Sequence, residues 1–359
     1  MDFDLSAEQL ELQVAARHLL DDRAGSAQVR AHLASGDPYD RGLWESMADQ
    51  GWCAIAVPEG EGGLGLGWVE AAVLLEEVGR HVAPVPLAPQ LVTLASLSGL
   101  PGVDDLRVGL LSGSALGAVA WSARPDAVRL DGDPEKPSLS GRLGPVEGAS
   151  VADVVVVVVP DGVYLVDQDA VGRPSPQPAM DLTRTLAWVD LDGTPARRIG
   201  GAAASARIGG LGALAMSAEL LGGSGRVLEL ATEYAKDRIQ FGVPIGSFQA
   251  VKHRCADMLV DVEGMRSATW YAAWAASTAE PGWELATSTA KVWCADASKR
   301  VMSSGLQVHG GIGFTWEHDL HLFIKRAQYS QLAYGDAAHH RTALAAGLRL
   351  LVEAGTGVM

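Results

Sequence analysis

The chain has 359 residues, 48% of them apolar and 20% charged, with a formal net charge of -15. At about 100–200 residues per domain this is enough for two or three domains, and the acid excess argues against a general nucleic-acid binder, which must neutralise phosphates with Lys and Arg. Any phosphate-bearing ligand must therefore meet a local basic pocket.

In chain order, Met1-Asp2-Phe3-Asp4 lacks the basic start and apolar stretch of a signal peptide. Ser6 can accept from early backbone N–H groups and cap a helix running to about Asp22, with Leu10, Leu12, Val14, Leu19 and Leu20 as its apolar positions. Trp44, Met47 and Ala48 mark a second helix ending near Gly51, and Val57 to Gly65 is too rich in glycine to stay helical. Glu70 to Val82 resumes a helical pattern, closed by Pro84 and Pro86. From Ala115 to Ile199 the texture changes to short β-branched runs divided by Gly, Pro and Asp. Val151–Val159, Val163–Val166 and Thr185–Leu191 are the strand candidates. The run Val154 to Val159 is far short of the roughly 20 residues that cross a bilayer, so it reads as a strand buried between layers and no membrane span is expected. Long helical segments follow: Leu211–Asp237, Ser247–Ala279, Leu285–Gly305, Leu320–Leu332 and Ala337–Glu353, with Pro281-Gly282 breaking one hairpin.

This order predicts a mainly helical α+β fold: an N-terminal helical domain over 1–114, a small middle β domain over 115–204 and a C-terminal four-helix bundle over 205–359. Cys53, Cys255 and Cys294 are far apart and fit no zinc or paired-thiol spacing, so a reducing cytoplasm and no metal site are expected.

Two stretches carry candidate chemistry. Arg238-Ile239-Gln240-Phe241-Gly242-Val243-Pro244-Ile245-Gly246-Ser247-Phe248-Gln249 puts an Arg and a Phe at the end of one long helix and a Gln at the start of the next, with Gly and Pro forcing the turn. Such a corner can hold a dinucleotide, guanidinium on pyrophosphate and amide near the adenine, or it can be a plain helix connection. Gln307-Val308-His309-Gly310-Gly311-Ile312-Gly313-Phe314-Thr315 has adjacent glycines after a helix, which let a ligand approach the backbone or simply stop the helix.

In text, order and separation these stretches resemble the acyl-CoA dehydrogenase family, flavoproteins that oxidise acyl-CoA thioesters between Cα and Cβ. The opening Phe3 to Gln9 and the loop Val57-Pro58-Glu59 through Gly62-Gly63-Leu64-Gly65 are similar to that family's first helix and first Gly-rich loop, so the resemblance spans nearly the whole chain. It implies that Arg238, Phe241, Gln249, Gln307, Gly310 and Gly311 grip the ADP portion of an FAD lying across a subunit interface. It further implies an acyl-CoA substrate, an electron-transfer flavoprotein as electron acceptor, and a tetramer of identical or related subunits.

The sequence departs from the family at two places. The β-domain segment that meets the flavin ring, Thr-Glu-Pro followed by Gly-Ser-Asp in other members, corresponds to Ala120-Trp121-Ser122-Ala123-Arg124-Pro125-Asp126, where Ser122 keeps one hydroxyl; Gly144 to Ala149 stands where a Trp-Ile-Thr element would be. The second departure is the base that removes the Cα proton, a role for which a carboxylate is worth about 10²–10⁴-fold. The family's Glu near the C-terminus aligns with Tyr334 or Gly335, and the alternative position on an earlier helix holds Gly212 and Ala213. Glu219 lies about 10 Å further along that helix at 1.5 Å per residue and reads as a packing residue. Asp336 remains, either as the base or as the N-cap of the helix that follows. The alternative is that the chain is one half of a hetero-oligomer whose partner supplies the base.

His318 and His321 have a spacing that can place two imidazoles on one helix face for a metal, but with no evident third ligand they read as a solvated or packed helix face; His339-His340 can sit near a flavin or CoA group or equally lie on the surface. Gly-x-Ser-x-Gly, Walker and strand-bound Gly-x-Gly-x-x-Gly motifs are absent, which argues against hydrolase, ATPase and Rossmann readings.

Overall fold

The computed structural model describes residues 4–166 and 168–353; Phe3, which opens the resemblance, lies outside the described residues. The elements in order are α1 (Ala7–Arg23), α2 (Ser26–Ser35), α3 (Arg41–Asp49), α4 (Trp68–Arg80), α5 (Leu87–Leu97), α6 (Asp104–Leu111), β1 (Gly117–Trp121), β2 (Val128–Asp133), β3 (Lys136–Glu147), β4 (Val154–Val159) and β5 (Gly162–Val166). There follow α7 (Gln168–Val171), β6 (Leu186–Gly201), α8 (Ala202–Asp237), β7 (Ile239–Gln240), β8 (Val243–Pro244), α9 (Gln249–Ser277), α10 (Trp283–His309), α11 (Leu320–Ser330) and α12 (Ala337–Glu353). The predicted sequence of helices, then sheet, then helices is the observed one. No described helix is long and apolar enough to cross a membrane.

The chain forms two compact units. The first takes in the described residues of Met1–Ser26, Ala72–Ala83 and Ala213–Met359 and is helical apart from the short β7–β8 ribbon. The start of α1 is a capping box: the Ser6 hydroxyl accepts from the Gln9 N–H at 3.2 Å, and the Gln9 side chain accepts from the Ser6 N–H at 2.9 Å. In this unit α4 is tied to three helices by ion pairs: Arg17 of α1 to Glu77 at 2.5 Å, Arg266 of α9 to Glu76 at 3.0 Å, and Glu229 of α8 to Arg80 at 2.6 Å. Glu76 and Glu77 are buried, so losing either cation strands a carboxylate away from water. Backbones meet where α4 and α8 pack: a methyl group at Gly79 would overlap the Glu219 carbonyl, and one at Gly222 the Glu76 carbonyl.

The second unit, Ala27–Ala71 with Pro84–Gly212, carries the sheet, in the order β1-β4-β5-β6-β3-β2. β1 and β4 run parallel from the Gly117–Val154 pair to the Trp121–Val158 pair, and the other neighbours are antiparallel. β1 also touches β3, four places away in that order, so the sheet curls. All six valines of β4 are buried, and the alternate ones, Val155, Val157 and Val159, pack into one core with Leu139, Leu143, Tyr164 and Val189. The buried Gln90 of α5 joins helix to sheet: its carbonyl accepts from the Gly117 N–H at 2.8 Å, and its amide donates to the Leu110 and Ala115 carbonyls at 2.6 and 3.0 Å.

Candidate cofactor and catalytic site

The corner after α8 is a two-strand ribbon, with Ile239 paired to Pro244 and Gln240 to Val243. Phe241 and Gly242 form its tip, both left-handed at φ 54° and 78°. This geometry throws the Phe241 ring outward, 92% exposed, with its edge against Phe248 at 6.1 Å. The Arg238 backbone closes the corner, accepting from the Ile245 N–H at 2.8 Å. Its guanidinium is exposed and has no hydrogen-bond or ion-pair partner among the described residues. Gln249 is the exposed first residue of α9.

Gln307 is exposed on the last turn of α10, which ends at Gly310 with φ 62°. A methyl group added at Gly310 or Gly311 would meet nothing within 4 Å, so the bend faces open ground. The structure brings this bend and the corner together within the helical unit. Tyr234, one turn before Arg238, stacks on His309, the residue before Gly310, with ring centres 4.9 Å apart and planes 23° from parallel. Such a pair contributes about 0.5–1.5 kcal/mol beyond area burial. His309 is fixed from its other side as Nδ1–H donates to the Gly305 carbonyl at 2.7 Å, and burial lowers its pKa, so the ring stays neutral. The Tyr234–His309 link was missed in the sequence; an aromatic four residues before an Arg corner and a His before a double glycine were its only signals.

Exposed apolar side chains surround these segments: Ile239, Val243, Ile312, Phe314 at 75% and Trp316 at 67%. Residues of this kind on a rim with an unpaired cation suit a surface that another molecule covers.

The remaining candidates are spoken for. Ser122 lies in the sheet-bearing unit at the end of β1, where its hydroxyl accepts from the Arg124 N–H at 3.1 Å and caps the turn. Glu147, in the segment standing for the missing Trp-Ile-Thr element, is paired with Arg184 at 2.5 Å. Glu219 is buried and borders a void of about 10 Å³ shared with Arg326 and Ser330, room for at most one water. His318 Nδ1 accepts from the Leu320 N–H at 3.1 Å, and the His321 ring sits edge-on to Trp316 at 4.8 Å.

The turn from α11 to α12 carries Tyr334, Gly335 and Asp336, the residues that the resemblance sets against the family's base. Tyr334 and Gly335 are both left-handed, φ 56° and 96°, and a Cβ at Gly335 would stand 2.5 Å from His339 Cδ2 and 3.0 Å from His340 Nε2. Two buried groups pin the turn. The Lys291 ammonium, wholly inaccessible to solvent, donates to the Ser330 carbonyl and to the Ala333 carbonyl at 2.8 Å; the His340 Nε2–H donates to the Tyr334 carbonyl at 2.9 Å. A cation at the C-terminal carbonyls of α11 is where the helix dipole favours one. Asp336 is exposed and accepts from the His339 N–H at 2.8 Å, the main reason its carboxyl is held below the usual range. It is the N-cap of α12, one of the two roles expected of it, and it is ionised at neutral pH.

Residues 6–99 match the family model for the acyl-CoA dehydrogenase N-terminal domain, and residues 201–349 match that for the C-terminal domain. The acyl-CoA dehydrogenase IpdE2 of Mycolicibacterium smegmatis is 34% identical over 336 residues, 92% of this chain and 96% of that protein. Among solved structures, the steroid ACAD Tcur3481–Tcur3483 superposes with a TM-score of 0.87 at 33% identity, covering 98% of this chain and 99% of that one. The ChsE4–ChsE5 complex from Mycobacterium tuberculosis gives 0.89 at 29% identity, covering 97% and 99%.

Proposed function

Because the chain belongs to the acyl-CoA dehydrogenase family, we propose that it is a subunit of an enzyme that desaturates an acyl-CoA thioester between Cα and Cβ with FAD, passing electrons to an electron-transfer flavoprotein. The observation that carries this reading is the pairing of the Arg238 corner with the Gly310-Gly311 bend through the Tyr234–His309 stack. The fit to a dinucleotide is good on the chain's own terms: an unpaired guanidinium for pyrophosphate, amides at Gln249 and Gln307, the exposed Phe241 ring, and a glycine bend with nothing above it. When bound, FAD supplies the hydride acceptor. The chain's residues hold its nucleotide end; because they lie on the surface among exposed apolar side chains, that end belongs to a cofactor shared across a subunit interface.

The proton step asks for a carboxylate near Cα. Asp336 is the carboxylate this turn offers, and its lowered pKa keeps it in the basic form. A second reading is favoured by the geometry of the turn. Gly335 is left-handed and crowded by His339 and His340, and Asp336 already serves as a cap, which fits a chain that completes the cofactor site of a related subunit bearing the base. Both solved relatives above are named as pairs of chains, and the steroid acyl class of one is the substrate class we propose for the assembly.

The test is to purify the chain alone and with a co-expressed related chain, then add acyl-CoA under anaerobic conditions. Flavin bleaching by the chain alone, abolished in Asp336→Asn, supports Asp336 as base. Bleaching only in the mixed assembly, unchanged by Asp336→Asn, supports the partner-supplied base. No flavin and no bleaching in either preparation overturns the function.

A further inference from the structure

One concavity of this acidic chain has the opposite sign. A cavity of about 550 Å³ within the sheet-bearing unit is lined by Lys136, Arg197 and Arg198, with Glu135 the one carboxylate among the described residues at its wall. Three cations against one anion leave a local balance of +2 in a protein whose total is -15. Such a reversal focuses the field on anionic ligands.

Arg197 and Arg198 pair with Leu165 and Tyr164 on β5; just beyond them Gly200 pairs with Val163, so Ile199 is an extra residue and the strand bends there, at the cavity wall. Each guanidinium is held by a single long bond, Arg197 to the Pro101 carbonyl at 3.4 Å and Arg198 to the Asp161 carbonyl at 3.3 Å. A guanidinium has five N–H donors, so most remain for a ligand. Lys136 is exposed and has no hydrogen-bond or ion-pair partner among the described residues. Leu100 and Ile199 add an apolar wall, and Gly200 gives a floor without side chains.

We propose that this cavity binds the phosphate groups of a nucleotide, Arg197 and Arg198 each gripping phosphate oxygens through paired N–H donors and Lys136 adding a point charge. The volume lies within the roughly 300–1,000 Å³ of small-molecule sites, and planar guanidiniums match phosphate geometry where a lysine cannot. Resting on the acyl-CoA reading, the source of that nucleotide is the 3′-phospho-ADP of the coenzyme A thioester. A free nucleotide shares the same chemistry.

The experiment is calorimetric titration of the purified assembly with CoA, dephospho-CoA and ATP, comparing wild type with Arg197→Gln/Arg198→Gln and with the charge-keeping Arg197→Lys/Arg198→Lys; thermal melting checks that each variant is folded. Loss of charge-assisted bonds to phosphate predicts at least about a tenfold weaker CoA complex in the Gln pair, with part of the affinity restored in the Lys pair. Stronger binding of CoA than of ATP identifies the thioester as the source, and the reverse a free nucleotide. Equal affinity of the folded wild type and Gln variant for every probe overturns the site, even where acyl-CoA still bleaches the flavin. If acyl-CoA bleaches nothing while nucleotide binding depends on these arginines, the site stands and the acyl-CoA reading falls.

Discussion

His340 offers a quantitative check on the turn between α11 and α12. Its ring is buried in the first turn of α12, with Nδ1 accepting from the Ser288 hydroxyl at 3.1 Å and Nε2–H donating to the Tyr334 carbonyl at 2.9 Å. Burial is the main cause that pushes its pKa from 6.5 to about 4, helped by the Lys291 charge. As pH falls through 6.5, the unfolded chain takes up a proton that the folded chain refuses until about 4. The stability His340 contributes is therefore complete above 6.5 and is lost as pH falls to about 4. At 1.36 kcal/mol per unit the loss amounts to about 3 kcal/mol. His340→Gln keeps an amide in place of the imidazole and removes the titration. Urea unfolding of wild type and variant between about pH 7.5 and 4.5 isolates the difference, because His32, His309 and His339, whose pKa values burial also lowers, are common to both. The wild type is expected to lose about 2.5 kcal/mol more than the variant across that interval, which stops just above the folded pKa. Parallel curves would refute a buried neutral imidazole at this position.

Other substitutions test the same turn and the cofactor segments. Gly335→Glu puts a side chain at φ 96° against His339, so it is expected to lower stability by about 1–3 kcal/mol in denaturant titrations without raising the rate of flavin bleaching. Asp336→Ala removes the N-cap of α12 and should cost about 0.5–2 kcal/mol, whereas Asp336→Asn keeps a capping oxygen and should unfold like wild type; equal losses in the two would contradict capping. Tyr234→Leu removes the stack on His309, and an aromatic pair of about 0.5–1.5 kcal/mol predicts a roughly 2- to 10-fold weaker hold on flavin, read as FAD content after dialysis.

The parts of the molecule legible in sequence were those with a strong local signal. Ser6 before Gln9, Asp336 before Ala337 and the runs of Val in β4 behave as their chemistry dictates. α5 escaped because ten of its eleven residues are buried; a helix apolar on every side has no amphipathic period to detect, and its Pro89 imitates a break. β3 escaped because Gly141, Gly144 and Pro145 interrupt it, and its register shifts twice against β6. α8 starts at Ala202, nine residues before the expected Leu211, because the Ala-rich stretch after Gly200-Gly201 shows no apolar stripe. At the site, the corner and the bend were visible as glycine-punctuated helix ends. Their union through Tyr234 and His309, and the clamp of Lys291 and His340 on the turn, depend on residues 75 and 49 positions apart, beyond the reach of any local pattern.

The most direct measurement of the central claim is the flavin content of the co-purified assembly in wild type and in Arg238→Gln/Gln307→Ala, with assembly size followed by light scattering. The account predicts FAD bound in the wild type and released on dialysis from a variant of unchanged size. A variant that keeps its flavin at wild-type affinity would mean that the corner and the glycine bend do not hold the nucleotide.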